Sequence, residues 1–247
     1  ISPLINYDGG SGSDSLVVLG ETQVDQVEYY PGPDVLEGRL AYDTDFTTPD
    51  THEMVIDFIN LEPVVDLVPA SVAVTVYGTD ADNAINFVEG DHSGTVDGQF
   101  NPNGVITGMV TVDAHESFEF ANKNDVLEII GLAAEDVVHL NYQNPAPPEN
   151  LDRIWVEGND PTGSDRLVVN ALAGVGDFLT LQPLGQGRGL VSGPAILPVD
   201  YLTIEEIHLV GQQTDGDNFG VDGTTGDDQF RYFTGETPGS GRVLGTM

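Results

Sequence analysis

The chain has 247 residues, with 41 Asp and Glu against Lys123 and six arginines, a formal net charge of −34, and no cysteine. That balance excludes nucleic acid and anionic membrane surfaces as partners, because phosphate contacts need clustered Lys and Arg. The lack of Cys excludes disulfides, zinc–thiolate sites and thiol nucleophiles, and no apolar run approaches the roughly 18 residues of a membrane-spanning helix.

In chain order, an apolar stretch at Leu4–Tyr7 leads into Gly9-Gly10-Ser11-Gly12-Ser13-Asp14 and the first copy of a repeat. Its core is Asp-x-Φ-x-Φ-x-Gly, four variable residues, then Asp-x-Φ-x-Φ, with Φ apolar. The first copy runs Asp14, Leu16, Val18, Gly20, Asp25, Val27, Tyr29. A copy degraded at its start follows at Val72, Val74, Val76, Gly78, Asn83, Ile85, Phe87. The next is intact: Asp125, Leu127, Ile129, Gly131, Asp136, Val138, Leu140. Asp165, Leu167, Val169, Asp177, Leu179, Leu181 carries one extra residue and Ala171 for the Gly. Asp217, Phe219, Val221, Gly223, Asp228, Phe230, Tyr232 is the last.

The flanks repeat as well. An acidic-x-Φ-x-Φ stretch precedes several copies, at Glu116–Phe120, Asp152–Val156 and Glu205–Leu209. A Gly-x-Φ follows at Gly38, Gly94, Gly189 and Gly241. These pieces divide the chain, as one repeat array, into units of roughly 1–58, 59–114, 115–149, 150–201 and 202–247.

The period of two in each Φ-x-Φ piece predicts a strand with one apolar face, and the Gly and Asp between pieces stop one strand and start the next. No window has a convincing helical period; Leu132-Ala133-Ala134-Glu135 is one turn long. The expected fold is all-β: a parallel β-solenoid of about five coils, with a five-bladed propeller or β-sandwich modules as alternatives. Variable unit length favours the open stack over a closed ring. Asn101-Pro102-Asn103-Gly104 predicts an inserted antiparallel hairpin, and Pro145-Ala146-Pro147-Pro148 a rigid connector.

Two motifs suggest calcium. Gly9 to Val17 fits the haemolysin-type nonapeptide Gly-Gly-x-Gly-x-Asp-x-apolar-x throughout, and Gly223–Phe230 departs from it only at the second Gly. Glycines permit the tight turn and Asp offers hard oxygen for Ca²⁺. Asp215 and Asp217 also place alternate oxygens on one loop. The candidate calcium ligands are therefore Asp14, Asp125, Asp165, Asp215, Asp217, Asp227 and Asp228; the competing reading of each is a turn-capping residue bonded to the backbone.

Taken whole, the unit resembles the long Gly/Asp-rich repeats of giant secreted or surface proteins of marine bacteria, particularly planctomycete-type ones. The resemblance implies extracellular or cell-surface display, adhesion or matrix building, calcium, and no catalytic residues. Its implied partners are neighbouring repeats or copies of the chain, with polysaccharide or cell-surface matrix beside them.

Nothing in the residues contradicts a non-enzyme. His52, His92, His115, His139 and His208 form no metal-spaced pair, and His139 and His208 fall at outward strand positions. Two other readings compete. A uronate-lyase-like β-helix enzyme would use Ca²⁺ with a basic residue, for which Arg153 and Arg166 near Asp165 are the available set. A salt-adapted binding module would scatter its charge rather than lock it to a repeat. Trp155 is read as a packing residue before a sugar-stacking one.

Overall fold

The computed structural model describes residues 3–20, 22–45, 52–61, 63–89, 106–122, 125–142, 150–160, 164–172, 174, 176–211, 216–226, 229–234 and 241–246. Among them the ordered elements are all strands, with no helix. β1 (Leu4–Asp8) and β2 (Leu16–Val18) come first, then an antiparallel meander of β3 (Val24–Pro31), β4 (Glu37–Asp43) and β5 (Met54–Ile59). β6 (Val64–Asp66) and β7 (Ala70–Tyr77) lead to a second meander of β8 (Ala84–Glu89), β9 (Thr107–Val112) and β10 (Phe118–Ala121). β11 (Asp125–Ile130), β12 (Val137–Asn141), β13 (Leu151–Glu157) and β14 (Arg166–Asn170) follow singly. A third meander, β15 (Phe178–Gly185), β16 (Arg188–Gly193) and β17 (Ile196–Leu202), precedes β18 (Glu206–Val210), β19 (Asn218–Val221) and the hairpin β20 (Gln229–Thr234)–β21 (Gly241–Thr246).

Two large, mostly parallel sheets result. The first has 11 strands in the order β1-β5-β4-β3-β7-β11-β13-β17-β16-β15-β19; the second has eight, β18-β14-β12-β8-β9-β10-β6-β2. The chain alternates between them: β7, β11, β13 and β17 are parallel neighbours in the first, and β8, β12, β14 and β18 in the second. Strand direction and sheet size rule out four-stranded antiparallel propeller blades.

The Φ positions form the core between the sheets. In the first sheet Val27, Val74, Leu127, Ile154 and Val199 stand side by side, as do Tyr29, Val76, Ile129, Val156 and Tyr201. In the second, Ile85, Val138 and Leu167 align, beside Phe87, Leu140 and Val169. All of these are buried and belong to one apolar cluster. Like stacks on like, each full burial contributing about 1.5–3 kcal/mol.

One expectation needs correction. The strands opening at Asp14, Asp125, Asp165 and Asp217 share a motif and so should hold equivalent positions. Instead β2 and β14 lie in the second sheet, while β11 and β19 lie in the first. The motif encodes a local strand–corner–strand, and both sheets offer the same apolar inner face, so one motif serves corners of either sense.

The Gly-x-Φ flank has a different meaning from a strand end. Gly38 and Gly189 lie in β4 and β16, the middle strands of two meanders, opposite Phe58 and Tyr201 of the next strand. A Cβ at either position would run into that aromatic side chain. Gly108 in β9 is likewise opposite Phe120. The turn Asn101–Gly104 and the connector Pro145–Pro148 lie outside the described residues, but β8 and β9, which flank that turn, are antiparallel as a hairpin requires.

Candidate functional site

The residues that precede four parallel strands of the second sheet fall in one column at its edge: Asn83, Asp136, Asp165 and Glu205, before β8, β12, β14 and β18. Each acid accepts a backbone hydrogen bond from its neighbour. The Asn83 N–H donates to Asp136 Oδ1 at 2.8 Å, the Asp136 N–H to Asp165 Oδ1 at 2.8 Å, and the Asp165 N–H to Glu205 Oε2 at 2.9 Å. Asp113, at the end of β9 with φ 48°, extends the column. Its Oδ1 accepts from the Ala84 N–H and its Oδ2 from Asn83 Nδ2, both at 2.7 Å. The first sheet repeats the device where the Asp177 N–H donates to Asp217 Oδ1 at 2.9 Å.

Glycine makes this geometry possible. Gly78, Gly131 and Gly158 stack at the corner, bonded N–H to carbonyl with Ile130, Glu157 and Leu202. A Cβ on Gly131 would overlap Asp136 Oδ2, and one on Gly158 would overlap Asp165 Oδ2 and the Thr203 carbonyl. After Gly131 and Gly158 the chain turns through left-handed backbone at Leu132 and Asn159, and Thr203, after Leu202, does the same. The repeated Gly followed by Asp is thus a packing pair: the glycine leaves room for the carboxylate that closes the corner.

The electrostatics are severe. Asp136 and Asp165 are buried, and among the described residues the Oδ2 of each has no hydrogen-bond partner. Burial pushes Asp136 up to about 7 despite its bond from Asn83, and nearby Asp165, Asp82 and Asp113 add to the rise. Burial also raises Asp165, with Glu205, Asp160 and Glu135 contributing. A third buried acid, Asp66, is likewise raised to about 7 by burial, and its Oδ1 accepts from the Tyr42 hydroxyl at 3.1 Å. At the Asp113 end a cleft of about 510 Å³ opens between Tyr30–Pro33, Thr79–Ala81, Asp113, His115 and Leu132.

The candidate calcium ligands separate. Asp165 is fully buried, one oxygen holding the Asp136 N–H and the other packed against Gly158. Asp217 is half-buried and holds the Asp177 N–H, while Asp14 is half-buried at the start of the second sheet's edge strand. Asp125 begins β11, its side chain outside the described set; Asp215, Asp227 and Asp228 lie outside the described residues. Among the described residues no three His, Asp or Glu side chains converge as a metal-holding group. Asp165 and Asp217 thus act as backbone acceptors. Asp136 and Asn83 were visible in the repeat and Glu205 in its flank, but only the strand order brings them into one column.

The basic residues of the enzyme reading do not meet. Arg153 lies on β13 in the first sheet, bonded to Asp200 at 2.8 Å, and Arg166 lies on β14 in the second, paired with Glu206 at 2.6 Å. Glu206 is held low chiefly by hydrogen bonds from His208 and Arg166. His139 and His208 do lie outward on β12 and β18, partly exposed.

The outer face of the first sheet carries a second polar cluster. Tyr30 and Tyr77 stack at 4.4 Å, and both hydroxyls donate to Glu28 Oε1, at 3.0 and 2.9 Å. Across the same rung run Thr75, Glu128, Trp155 and Asp200. Trp155 is therefore half-buried on the outer face rather than in the core.

No family model matches the chain, and no curated protein or solved structure matches it either.

Proposed function

We propose that this chain is a stiff, acidic segment of an extracellular or cell-surface repeat protein, with a structural or adhesive role. In this reading the alternating two-sheet path is a parallel solenoid whose coils are two strands, some expanded by a meander. The observation that supports it best is the column from Asn83 to Glu205, in which every corner is closed by the acid of the next strand. Such a stack gains rigidity from nearest-neighbour contacts alone. At the ~4.8 Å spacing of neighbouring strands, like charges repel by roughly 1 kcal/mol each even in water.

Divalent cations, calcium foremost, relieve that repulsion along the solvent side of the column, where Asp80, Asp82, Glu135 and Asp160 lie. A ligand held only by the folded state stabilises it by mass action. The test is thermal melting in chelator and in millimolar Ca²⁺ at fixed ionic strength. A rise in melting temperature is expected; identical melting would sink the cation part of the reading. The solenoid part is tested separately by solution scattering, where 11 stacked strands require a long axis near about 50 Å at ~4.8 Å per strand.

A second reading rests on the outer face of the first sheet. Trp155 between Glu128 and Asp200 sets an indole and carboxylates on one rung, an arrangement suited to polysaccharide contact. Trp155→Ala should abolish retardation in polysaccharide-loaded gels if that contact exists.

A further inference from the structure

The stack of corners that joins the two sheets is interrupted at one place inside the fold. Gly158, Gly131 and Gly78 stand in line, and on the far side of Gly78 the next parallel strand is β3. β3 does not cross to the second sheet. It turns back at Gly32, whose N–H donates to the Glu37 carbonyl at 2.7 Å, and runs into β4. In the second sheet the neighbour of β8 is β9, which is antiparallel to it and leads into Asp113. The place of a further corner is left open between these two turns. It is the cleft of about 510 Å³ that Tyr30–Pro33 and Asp113 line, of a size usual for small-molecule sites.

Most polar groups of the cleft are already spent. Asp113 takes the Ala84 N–H and Asn83 Nδ2, and Asn83 Oδ1 takes the Thr79 N–H at 2.6 Å. The Tyr30 hydroxyl is held by Glu28, so Tyr30 joins Pro31 and Pro33 as an apolar wall. Two lining side chains are left over. Among the described residues the exposed carboxylate of Asp80 has no hydrogen-bond partner, and neither ring nitrogen of His115 has one. His115 Nδ1 is buried. Orphaned buried N–H groups are rarer than orphaned acceptors, so the neutral ring carries its hydrogen on Nε2, the nitrogen that solvent reaches.

The cleft thus shows an unmatched acceptor and an unmatched donor beside an apolar wall, with no Lys or Arg among its described lining residues. An amine or guanidinium offers only donors and would leave His115 Nε2 unmet. A carboxylate or sulfate offers only acceptors and would meet Asp80 and Asp113 as like charges. A hydroxyl both donates and accepts, and a sugar ring carries several around apolar C–H faces.

We propose that this cleft binds one uncharged hexose unit. Asp80 accepts from one sugar hydroxyl, His115 Nε2 donates to another, and the wall from Tyr30 to Pro33 covers a C–H face of the ring. The site rests on neither the cation reading nor the Trp155 reading above, since Trp155 lies on β13, three strands from β3 in the first sheet.

The test titrates the full chain, in chelator and at fixed ionic strength, with the methyl α-glycosides of glucose, galactose and mannose, followed by backbone amide NMR shifts. At least one glycoside should bind with a dissociation constant of about 1–10 mM, the strength of a single small ligand, and should shift residues 79–81 and 113–115. Asp80→Ala and His115→Phe should each weaken binding about tenfold, the second keeping a ring without the N–H, and His115→Gln should recover most of that loss. Asp80→Ala removes an exposed side chain and no corner bond, so it stays readable whatever His115→Phe does to folding. Glucuronate and 1,5-diaminopentane should bind at least about tenfold more weakly than the best glycoside. No glycoside binding, binding that leaves both loops unshifted, equal binding by either charged compound, or full affinity in Asp80→Ala overturns the proposal. Loss of binding in Trp155→Ala would assign the sugar to the outer face of the first sheet and overturn it too.

Discussion

The backbone N–H of Asp136 donates to Asp165 Oδ1 at 2.8 Å, so each buried acid of the column closes the corner of its neighbour rather than its own. This makes the acceptor, not the charge, the structural requirement. Asn83 stands in the same column as a neutral residue and its N–H is held in the same way by Asp136.

Asp136→Asn should therefore be neutral or stabilising at pH 8, since the amide oxygen can still accept from Asn83 and a buried charge is removed. Asp165→Ala should cost about 1–3 kcal/mol, because it leaves the buried Asp136 N–H without an acceptor. Urea denaturation of the two variants checks both. If alanine proves as mild as asparagine, the column does not hold the corners.

Stability should fall as pH rises from about 5 to 8. Burial lifts Asp136 and Asp66 to about 7 in the folded protein, against an ordinary value of 3.8. Between those values the folded state binds more protons than the unfolded one, so raising the pH disfavours folding until both acids are ionised. Melting temperature across that range is the measurement, with Asp136→Asn as the diagnostic: its slope should be shallower than that of the parent. General repulsion among 41 acidic residues would leave the two slopes equal.

The strands themselves were legible from alternation. Leu127 and Ile129, or Leu167 and Val169, are apolar at period two and become the buried faces. What the repeat could not tell is which sheet a copy enters, because the Asp14 and Asp125 copies present the same local pattern to opposite layers. The order of strands depends on long-range pairing, such as β3 with β7 rather than β2 with β3. Gly38 and Gly189 stand in the sequence only as a spacing, and their purpose follows from the pairing that sets Phe58 and Tyr201 across from them. The acid column was half visible: offsets singled out Asp136 and Asp165, while their burial and their bonds to a neighbour's backbone follow from stacking.

Glycines at the corner should be irreplaceable although their backbone is not left-handed. Gly158→Ala would drive a methyl group into Asp165 Oδ2 and the Thr203 carbonyl, and Gly131→Ala into Asp136 Oδ2, with the Gly158 carbonyl at 3.0 Å. Overpacking of this kind costs about 1–3 kcal/mol, and more where backbone is struck, so Gly158→Ala should be the worse of the two. Gly220→Ala is the control, its nearest neighbour being Thr180 Oγ1 at 3.6 Å. Equal denaturation midpoints for all three variants would contradict the corner geometry.

Tyr29 should prove to be the clamp between the sheets. It lies in β3 of the first sheet, its ring stacked at 4.9 Å and 4° on Phe118 of β10 in the second, and its hydroxyl donates to the Glu116 carbonyl at 3.0 Å. Tyr29→Phe keeps the ring and removes the donor, which should cost about 0.5–1.5 kcal/mol. Tyr29→Ala opens a large cavity between the sheets and should cost about 3–5 kcal/mol. Stacking beyond simple burial is isolated by a double-mutant cycle of Tyr29→Leu with Phe118→Leu, for which a coupling of about 0.5–1.5 kcal/mol is expected. If Tyr29→Phe is as damaging as Tyr29→Ala, the hydroxyl alone joins the layers and the ring is incidental; if the cycle shows no coupling, the two aromatics fill space without recognising each other.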